Sequence, residues 1–307
     1  MSRRDPRPVS GICAALLTPR SAASTEADAA RLLDYMSTLE RAGIQGFVLF
    51  GSTGEFVHFD LAERVRVAAL ALRRSRVPML VNVSHSDLAG VAALADNAIG
   101  MGADGILVMP PYFYRYDAGT IEAFYRSIVE QYANQTAIYL YNLPQHTNPI
   151  PPDVAVHLIQ SAGVAGIKDS SGDISLLDAL SELRREKPFT LLAGNERIYR
   201  RARVQGADGA VSGVAAALPE LMLGLDRAIL AKDEKHSPAL EACLFEYLDW
   251  LERFPATVLI RHTAALRGWI DDCPAVPLSE QQNRDMARFR SWFPSWLSAV
   301  FSELGLS

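Results

Sequence analysis

A lysine stands at position 168 in AGIKDSSGD, residues 165–173, directly after the small apolar run GVAGI. Lysine rarely enters such a run unless it is paired or has chemistry to perform. An amine that has lost part of its hydration can attack a carbonyl and form a Schiff base. The plainer alternative is a stem that follows the strand while the ammonium reaches water. Tyr141 closes the run AIYLY ahead of Asn-Leu-Pro. Its phenol could give and take the protons that imine formation requires, or it could fill the rim of a core. GSTGE, residues 51–55, carries the hydroxyls of Ser52 and Thr53 on a loop that Gly51 and Gly54 leave unobstructed. Such a loop suits a carboxylate, and it is equally an ordinary turn. No Gly-Lys-Ser/Thr follows, so it is not a phosphate loop. Tyr112, Tyr114 and Tyr116 form either a functional group of phenols or a surface patch. The six histidines show no HxxxH or HxxEH pairing and the carboxylates do not cluster, so no metal site is expected.

These residues need elements to position them, and the pattern supplies a repeating one. Eight short apolar runs read as strands: 12–17, 46–50, 78–83, 105–109, 137–141, 164–168, 189–193 and 209–212. Helix-like segments lie between and after them, near 26–42, 60–74, 87–101, 118–133, 152–161, 174–186, 196–206 and 218–231. Asp60 and Pro152-Asp153 are typical helix starts. AGIQG, MGADG and QGADG repeat one helix-to-strand junction in which a glycine ends the helix. The α/β alternation favours a closed (β/α)8 TIM barrel over an open sheet, and no GxGxxG follows the first strand. Residues 238–254, 256–270 and 279–303 read as helices without strands, with 271–278 as a linker before the last. The expected organisation is a catalytic barrel over residues 1–232 and a C-terminal helical domain over 233–307. In such a barrel the C-terminal ends of the strands form one mouth, where Ser52, Tyr112, Tyr141, Lys168, Gly194 and Ser212-Gly213 would converge.

The chain has 307 residues, 49% hydrophobic and 21% charged, with a net charge of −5. That balance speaks against a nucleic-acid or anionic-membrane surface. No run approaches the roughly 18 apolar residues of a membrane helix. Two basic clusters, Arg73-Arg74-Ser75-Arg76 and Arg200-Arg201-Ala202-Arg203, read as solvated helix faces. Cys13, Cys243 and Cys273 have no metal-binding spacing, and their usage suits a reduced, cytoplasmic protein.

GSTGE, PPY, YNLP and GIKDSSG, in that order on successive strands, resemble the dihydrodipicolinate synthase/N-acetylneuraminate lyase family over nearly the whole chain. The resemblance implies a class I Schiff-base aldolase or lyase that is usually a homotetramer and uses no metal or organic cofactor. Lys168 would form the imine with pyruvate or the pyruvoyl end of a 2-oxo acid, and Tyr141 would shuttle protons. Ser52 and Thr53 would bind the carboxylate, with Gly54 in the same loop. Thr53 would also link Tyr141 to a second tyrosine, which aligns with Tyr112 and is lent across a dimer interface. Ser212 and Gly213 would line the pyruvate site.

The departures concern the second substrate. His146 stands where the lysine-pathway synthases place an arginine that holds the carboxylate of aspartate semialdehyde, and Asn148 replaces a usual glycine. Imidazole is a poor substitute for a bidentate guanidinium. After the seventh strand, where sialic acid lyases hold sugar hydroxyls, Gly194 and Glu196 are present but Arg197 replaces a second acid. Arg197 could meet an acidic substrate, face solvent or join an interface. The expected reaction is therefore cleavage or dehydration of a 2-oxo-3-deoxy sugar acid or a related 2-oxo acid, with 2-oxo acid and aldehyde as small-molecule partners. The alternatives are 4-hydroxy-tetrahydrodipicolinate synthesis and a barrel that binds 2-oxo acids without turnover.

Overall fold

The computed structural model describes residues 7–20, 26–255 and 257–305. Eight parallel strands close into a barrel in chain order. They are β1 (Gly11–Ala15), β2 (Gly46–Leu49), β3 (Met79–Asn82), β4 (Gly105–Val108), β5 (Ile138–Asn142), β6 (Gly166–Asp169), β7 (Thr190–Ala193) and β8 (Gly209–Ser212). Each expected strand is present. The sixth runs one residue further than expected, so that Asp169 pairs with Asn142 on one side and Ala193 on the other. All but one of the strand residues are buried, which is why they read as continuous apolar runs rather than alternating ones.

Eight helices follow the strands: α1 (Ala29–Arg41), α2 (Leu61–Arg74), α3 (Leu88–Gly100), α4 (Ala118–Tyr132), α5 (Pro152–Ser161), α6 (Ile174–Glu186), α7 (Tyr199–Val204) and α8 (Pro219–Leu230). One local device starts five of them. Asp28, Asp60, Asp87, Asp117 and Asp173 each accept a hydrogen bond from a backbone N–H of the first turn, satisfying a donor that the helix leaves open. Pro152 and Pro219 open α5 and α8. In the three repeated junctions, Gly43, Gly102 and Gly206 take the left-handed conformation that terminates the preceding helix.

The barrel is followed by α9 (His236–Leu251), α10 (Val258–Leu266) and α11 (Glu280–Glu303); residue 256, where the second was expected to begin, lies outside the described residues. Their contact is aromatic: Trp250 of α9 meets Trp292 of α11 with ring centroids 5.6 Å apart, Tyr247 of α9 stacks on Trp296 at 5.8 Å, and His262 of α10 meets Phe289 at 6.2 Å. A single buried apolar cluster runs from the barrel into these helices. The irregular segment between α10 and α11 is tethered at Asp272, whose carboxylate lies 2.6 Å from His262 Nδ1. Arg290 Nε donates to His262 Nε2 at 3.0 Å. Because a guanidinium only donates, the imidazole proton sits on Nδ1 and points at Asp272.

The basic clusters divide. Arg73 and Arg74 close α2 at the surface, whereas Arg203 is largely buried and donates to Asp226 at 2.8 Å. Cys13 is a buried free thiol whose pKa burial pushes up to about 12. Among the described residues no helix is long and apolar enough to cross a membrane.

Candidate active site

Parallel pairing puts Tyr141 of β5 and Lys168 of β6 in register, so both project together near the C-terminal ends of their strands. Lys168 is 3% exposed, and its Nζ lies 4.0 Å from the centroid of the Tyr141 ring. Tyr141 is fully buried. Its hydroxyl is 3.0 Å from Ser52 Oγ, and either group can donate. The loop after β2 thus delivers Ser52, rather than the expected Thr53, to the phenol. Thr53 lies beside it against Gly213, where an added Cβ would come within 3.1 Å of the threonine hydroxyl.

One residue further along the two strands, Asn142 Nδ2 donates to Asp169 Oδ1 at 2.8 Å. Ser171 adds its hydroxyl and amide to the same carboxylate. Burial raises the Asp169 carboxyl above its ordinary range, partly offset by these donors. This brace fixes the relative position of β5 and β6 beside Tyr141 and Lys168. Neither Asn142 nor Asp169 was anticipated. Their signal, a buried polar pair, requires knowing which strands are neighbours.

A cavity of about 170 Å³ opens over this pair, lined by Lys168, Tyr141, Ser52, Thr53, Gly194 and Gly213 together with His146, Glu196 and Ser170. Gly194 is required by close approach: a Cβ there would lie 2.1 Å from Ser170 Oγ and 2.9 Å from Lys168 Cε. Ser170 Oγ is buried without a hydrogen-bond partner and was not foreseen as part of the site. Leu248 and Leu251 of α9 and Ile260 of α10 supply an apolar wall.

Two expected ligands are placed otherwise. Gly54 does not line the cavity: its amide donates to Gly51 and its carbonyl accepts from Thr18. It is glycine because a Cβ would meet the Leu16 carbonyl at 2.9 Å. Ser212 also stays out, donating to Glu196 Oε1 at 2.7 Å, while Val214 N donates to the same oxygen at 3.2 Å. Glu196 is therefore at the cavity wall with one oxygen already engaged. Arg197 turns away altogether, gripping Asp249 at 2.6 Å and Glu252 at 2.8 Å on and just after α9.

A second, larger cavity of about 420 Å³ adjoins the first and shares Ser52, Leu143, His146 and Thr257 with it. Tyr112 lines this chamber and not the one around Lys168. It meets Phe56 edge to face at 5.8 Å. Burial raises its phenol's pKa, against the opposing charge of Arg64. The next residue, Phe113, is 88% exposed with a left-handed φ of 82°, an outlier conformation for a bulky side chain. Tyr114 and Tyr116 are also exposed. Asn148 holds this loop from below: its Nδ2 donates to the carbonyls of Pro111 at 2.7 Å and Tyr114 at 2.8 Å. His146 is exposed at the junction of the two cavities.

Glu55 also reaches the larger chamber. Burial pushes its carboxyl up, but the guanidiniums of Arg261 and Arg20 outweigh this and hold it below the usual carboxylate range. Among the described residues no three His, Cys, Asp or Glu side chains converge as metal ligands would.

Residues 8–290 match the model of the dihydrodipicolinate synthetase family. A 4-hydroxy-tetrahydrodipicolinate synthase from Salinibacter ruber is 33% identical over 91% of this chain and 93% of its own. An uncharacterised DapA-like lyase from Chloroflexus aurantiacus is 32% identical over 69% of this chain and 72% of its own. Among solved structures, a prophage protein of the dihydrodipicolinic acid synthase family from E. coli K12, in complex with pyruvate, superposes with a TM-score of 0.83. That alignment covers 97% of this chain and 97% of the other at 23% identity.

Proposed function

Because this chain belongs to the dihydrodipicolinate synthetase family, whose members are class I Schiff-base lyases, we propose that Lys168 condenses with pyruvate or the pyruvoyl end of a larger 2-oxo acid. The observation that carries this assignment is a buried amine set 4.0 Å from the ring of a buried tyrosine. In the synthetic direction, Lys168 Nζ adds to the C2 carbonyl and water leaves, giving a protonated imine. Loss of a C3 proton yields an enamine, C3 attacks the aldehyde carbon, and the new alkoxide takes a proton. Hydrolysis then releases a 4-hydroxy-2-oxo acid and regenerates the amine. Tyr141 is assigned the proton transfers, with Ser52 positioning and polarising its hydroxyl through the 3.0 Å contact. Thr53 and the backbone near Gly213 and Gly194 are assigned to the carboxylate.

A second reading, 4-hydroxy-tetrahydrodipicolinate synthesis, is favoured by the name of the Salinibacter relative. It lacks an arginine lining either cavity for the second carboxylate among the described residues. The family resemblance also supports a cytoplasmic homotetramer.

The test is to incubate the protein with pyruvate, reduce with borohydride and map the product by mass spectrometry. A pyruvate-derived addition on the Lys168 peptide, absent in Lys168→Ala, is the expected result. Aldol turnover in that variant should fall by about 10³-fold or more, as expected for loss of a covalent nucleophile. An unmodified Lys168 in folded protein overturns the reading. Modification without turnover of any aldehyde or 2-oxo acid would leave a binding barrel.

A further inference from the structure

The loop that brings Ser52 to Tyr141 is held in an unusual shape. The two residues that bracket it, Phe50 and Glu55, have left-handed φ angles of 58° and 53°, a region that bulky side chains rarely enter. Such conformations persist only where the surroundings impose them, and here the surroundings are specific. Asn82 Nδ2 donates to the Phe50 carbonyl at 2.7 Å, and Thr18 Oγ1 donates to the Gly54 carbonyl at 2.8 Å. Glu55 is clamped from two sides. Arg20 Nη1 donates to its Oε2 at 2.8 Å, and Arg261 Nη2 donates to the same oxygen. Arg20 follows β1 in the chain and lies over the Phe59 ring at 4.7 Å, whereas Arg261 belongs to α10. Arg261 is 1% exposed, and its Nε and Nη1 are buried without a partner. Its contacts are concentrated in Nη2, which also donates to the Thr18 carbonyl at 3.0 Å. Inside the loop the coupling is short: the Glu55 amide donates to the Ser52 carbonyl at 2.9 Å, so moving one end moves the other.

We propose that Glu55 is a positioning residue: clamped by Arg20 and Arg261, it holds the loop so that Ser52 Oγ faces the Tyr141 hydroxyl. The proposal rests on the Schiff-base reading, because the place of Ser52 matters through the proton transfers assigned to Tyr141. Glu55 does not line the cavity around Lys168, so it acts by geometry and not by moving a proton. The side chains of Arg20, Arg261 and Glu55 are 6%, 1% and 11% exposed within one chain, so the clamp is complete without a partner subunit. A carboxylate is needed there because a buried guanidinium without an anion is strongly destabilising. A neutral amide in its place would leave two guanidiniums side by side and uncompensated, and the loop would relax toward ordinary backbone conformations. The clamp also ties α10 to the loop after β2, so the helices that follow the barrel help to set the contact between Ser52 and Tyr141.

The experiment reads the proton step directly and needs no aldehyde. In heavy water the Lys168 imine of pyruvate loses a C3 proton, the enamine takes up a deuteron, and hydrolysis returns deuterated pyruvate, so the methyl signal falls in the proton NMR spectrum. Exchange at saturating pyruvate is compared for the wild type, Glu55→Gln, Ser52→Ala and the double variant, with borohydride trapping on each. The expected result is a Lys168 adduct in all four and exchange about tenfold slower in each single variant. The double variant should be no more than about threefold slower than Ser52→Ala, because two residues that act through one contact do not multiply their effects. A purely structural role would multiply them. Glu55→Asp, which keeps a counter-charge for both guanidiniums on a stem one methylene shorter, carries the same comparison if Glu55→Gln loses the wild-type far-UV circular dichroism spectrum. Exchange at the wild-type rate in either single variant, or a full tenfold cost of the Glu55 change in the Ser52→Ala background, overturns this inference and leaves the Schiff-base assignment standing. Absence of both adduct and exchange in the wild type overturns both.

Discussion

Gly194 shows how tightly the Lys168 side chain is held. The stem of Lys168 and the hydroxyl of Ser170 both press against the face where any other residue would carry a Cβ. Gly194→Ala should therefore displace the amine while leaving the barrel closed. We expect turnover to fall by about 100-fold, the scale of a misplacement near 1 Å, with a far-UV circular dichroism spectrum like that of the wild type. Unchanged kinetics would mean that the lysine stem is free to move. The placement of Lys168, buried near the end of a strand, was legible in the sequence because a charged side chain inside an apolar run stands out. Which of Ser52 and Thr53 reaches the Tyr141 hydroxyl was not, since neighbouring hydroxyls on one loop differ only in direction. Gly54 was misread for a related reason. A glycine in a loop signals close approach, and here the approaching group is the Leu16 carbonyl rather than a substrate.

Among the elements, strands and barrel helices were readable because the chain repeats its instructions: buried runs of four or five residues, aspartate caps, and glycines that end helices. The exception is the segment after β7, expected as one helix over 196–206. Its first three residues form a 3-10 turn with Glu196 drawn toward Ser212, and the α-helix begins at Tyr199. The Asn142–Asp169 brace and the Asp272–His262 tether join residues whose proximity only the closed fold creates. The tether yields a pH prediction. Burial raises the Asp272 carboxyl, but the hydrogen bond and electrostatic attraction of His262, with the charges of Arg290 and Arg261, outweigh it and leave the pKa lowered. A depressed carboxylate pKa contributes stability that is complete above the unfolded value, about 3.9, and is lost as pH falls through the folded one. Protection of residues 271–278 against hydrogen exchange, taken relative to the intrinsic rate at each pH, should fall on acidification below about pH 4 in the wild type. In Asp272→Asn that protection should already be low at neutral pH. Equal protection in both proteins would show that the segment is held by other contacts.

At the scale of the whole molecule, the helices after the barrel complete the site. Leu248, Leu251, Thr257 and Ile260 wall the smaller cavity, and Val258 and the segment 275–278 wall the larger one. The apolar C-terminal helices were visible in the sequence, but their part in both cavities was not, because the residues concerned carry no reactive groups. Phe289 is fully buried and lies in the centre of the stack with Tyr247, Trp250, Trp292 and Phe293. Phe289→Ala should cost about 3–5 kcal/mol. If the shared core couples the two parts of the chain, denaturant unfolding of the wild type should show one transition by tryptophan fluorescence and by far-UV circular dichroism. Two separated transitions would instead identify residues 233–307 as an independently folding domain. The exposed stretch Pro274–Pro277 lies outside every strand and helix of the barrel, yet it borders the space beside the lysine. On the proposed reading, the residues assigned to the chemistry and the border of the larger cavity are thus carried by different parts of the chain. Mutational drift, or a designer's loop library, confined to the codons for residues 274–277 would then reshape that border while Ser52, Tyr141 and Lys168 are inherited intact.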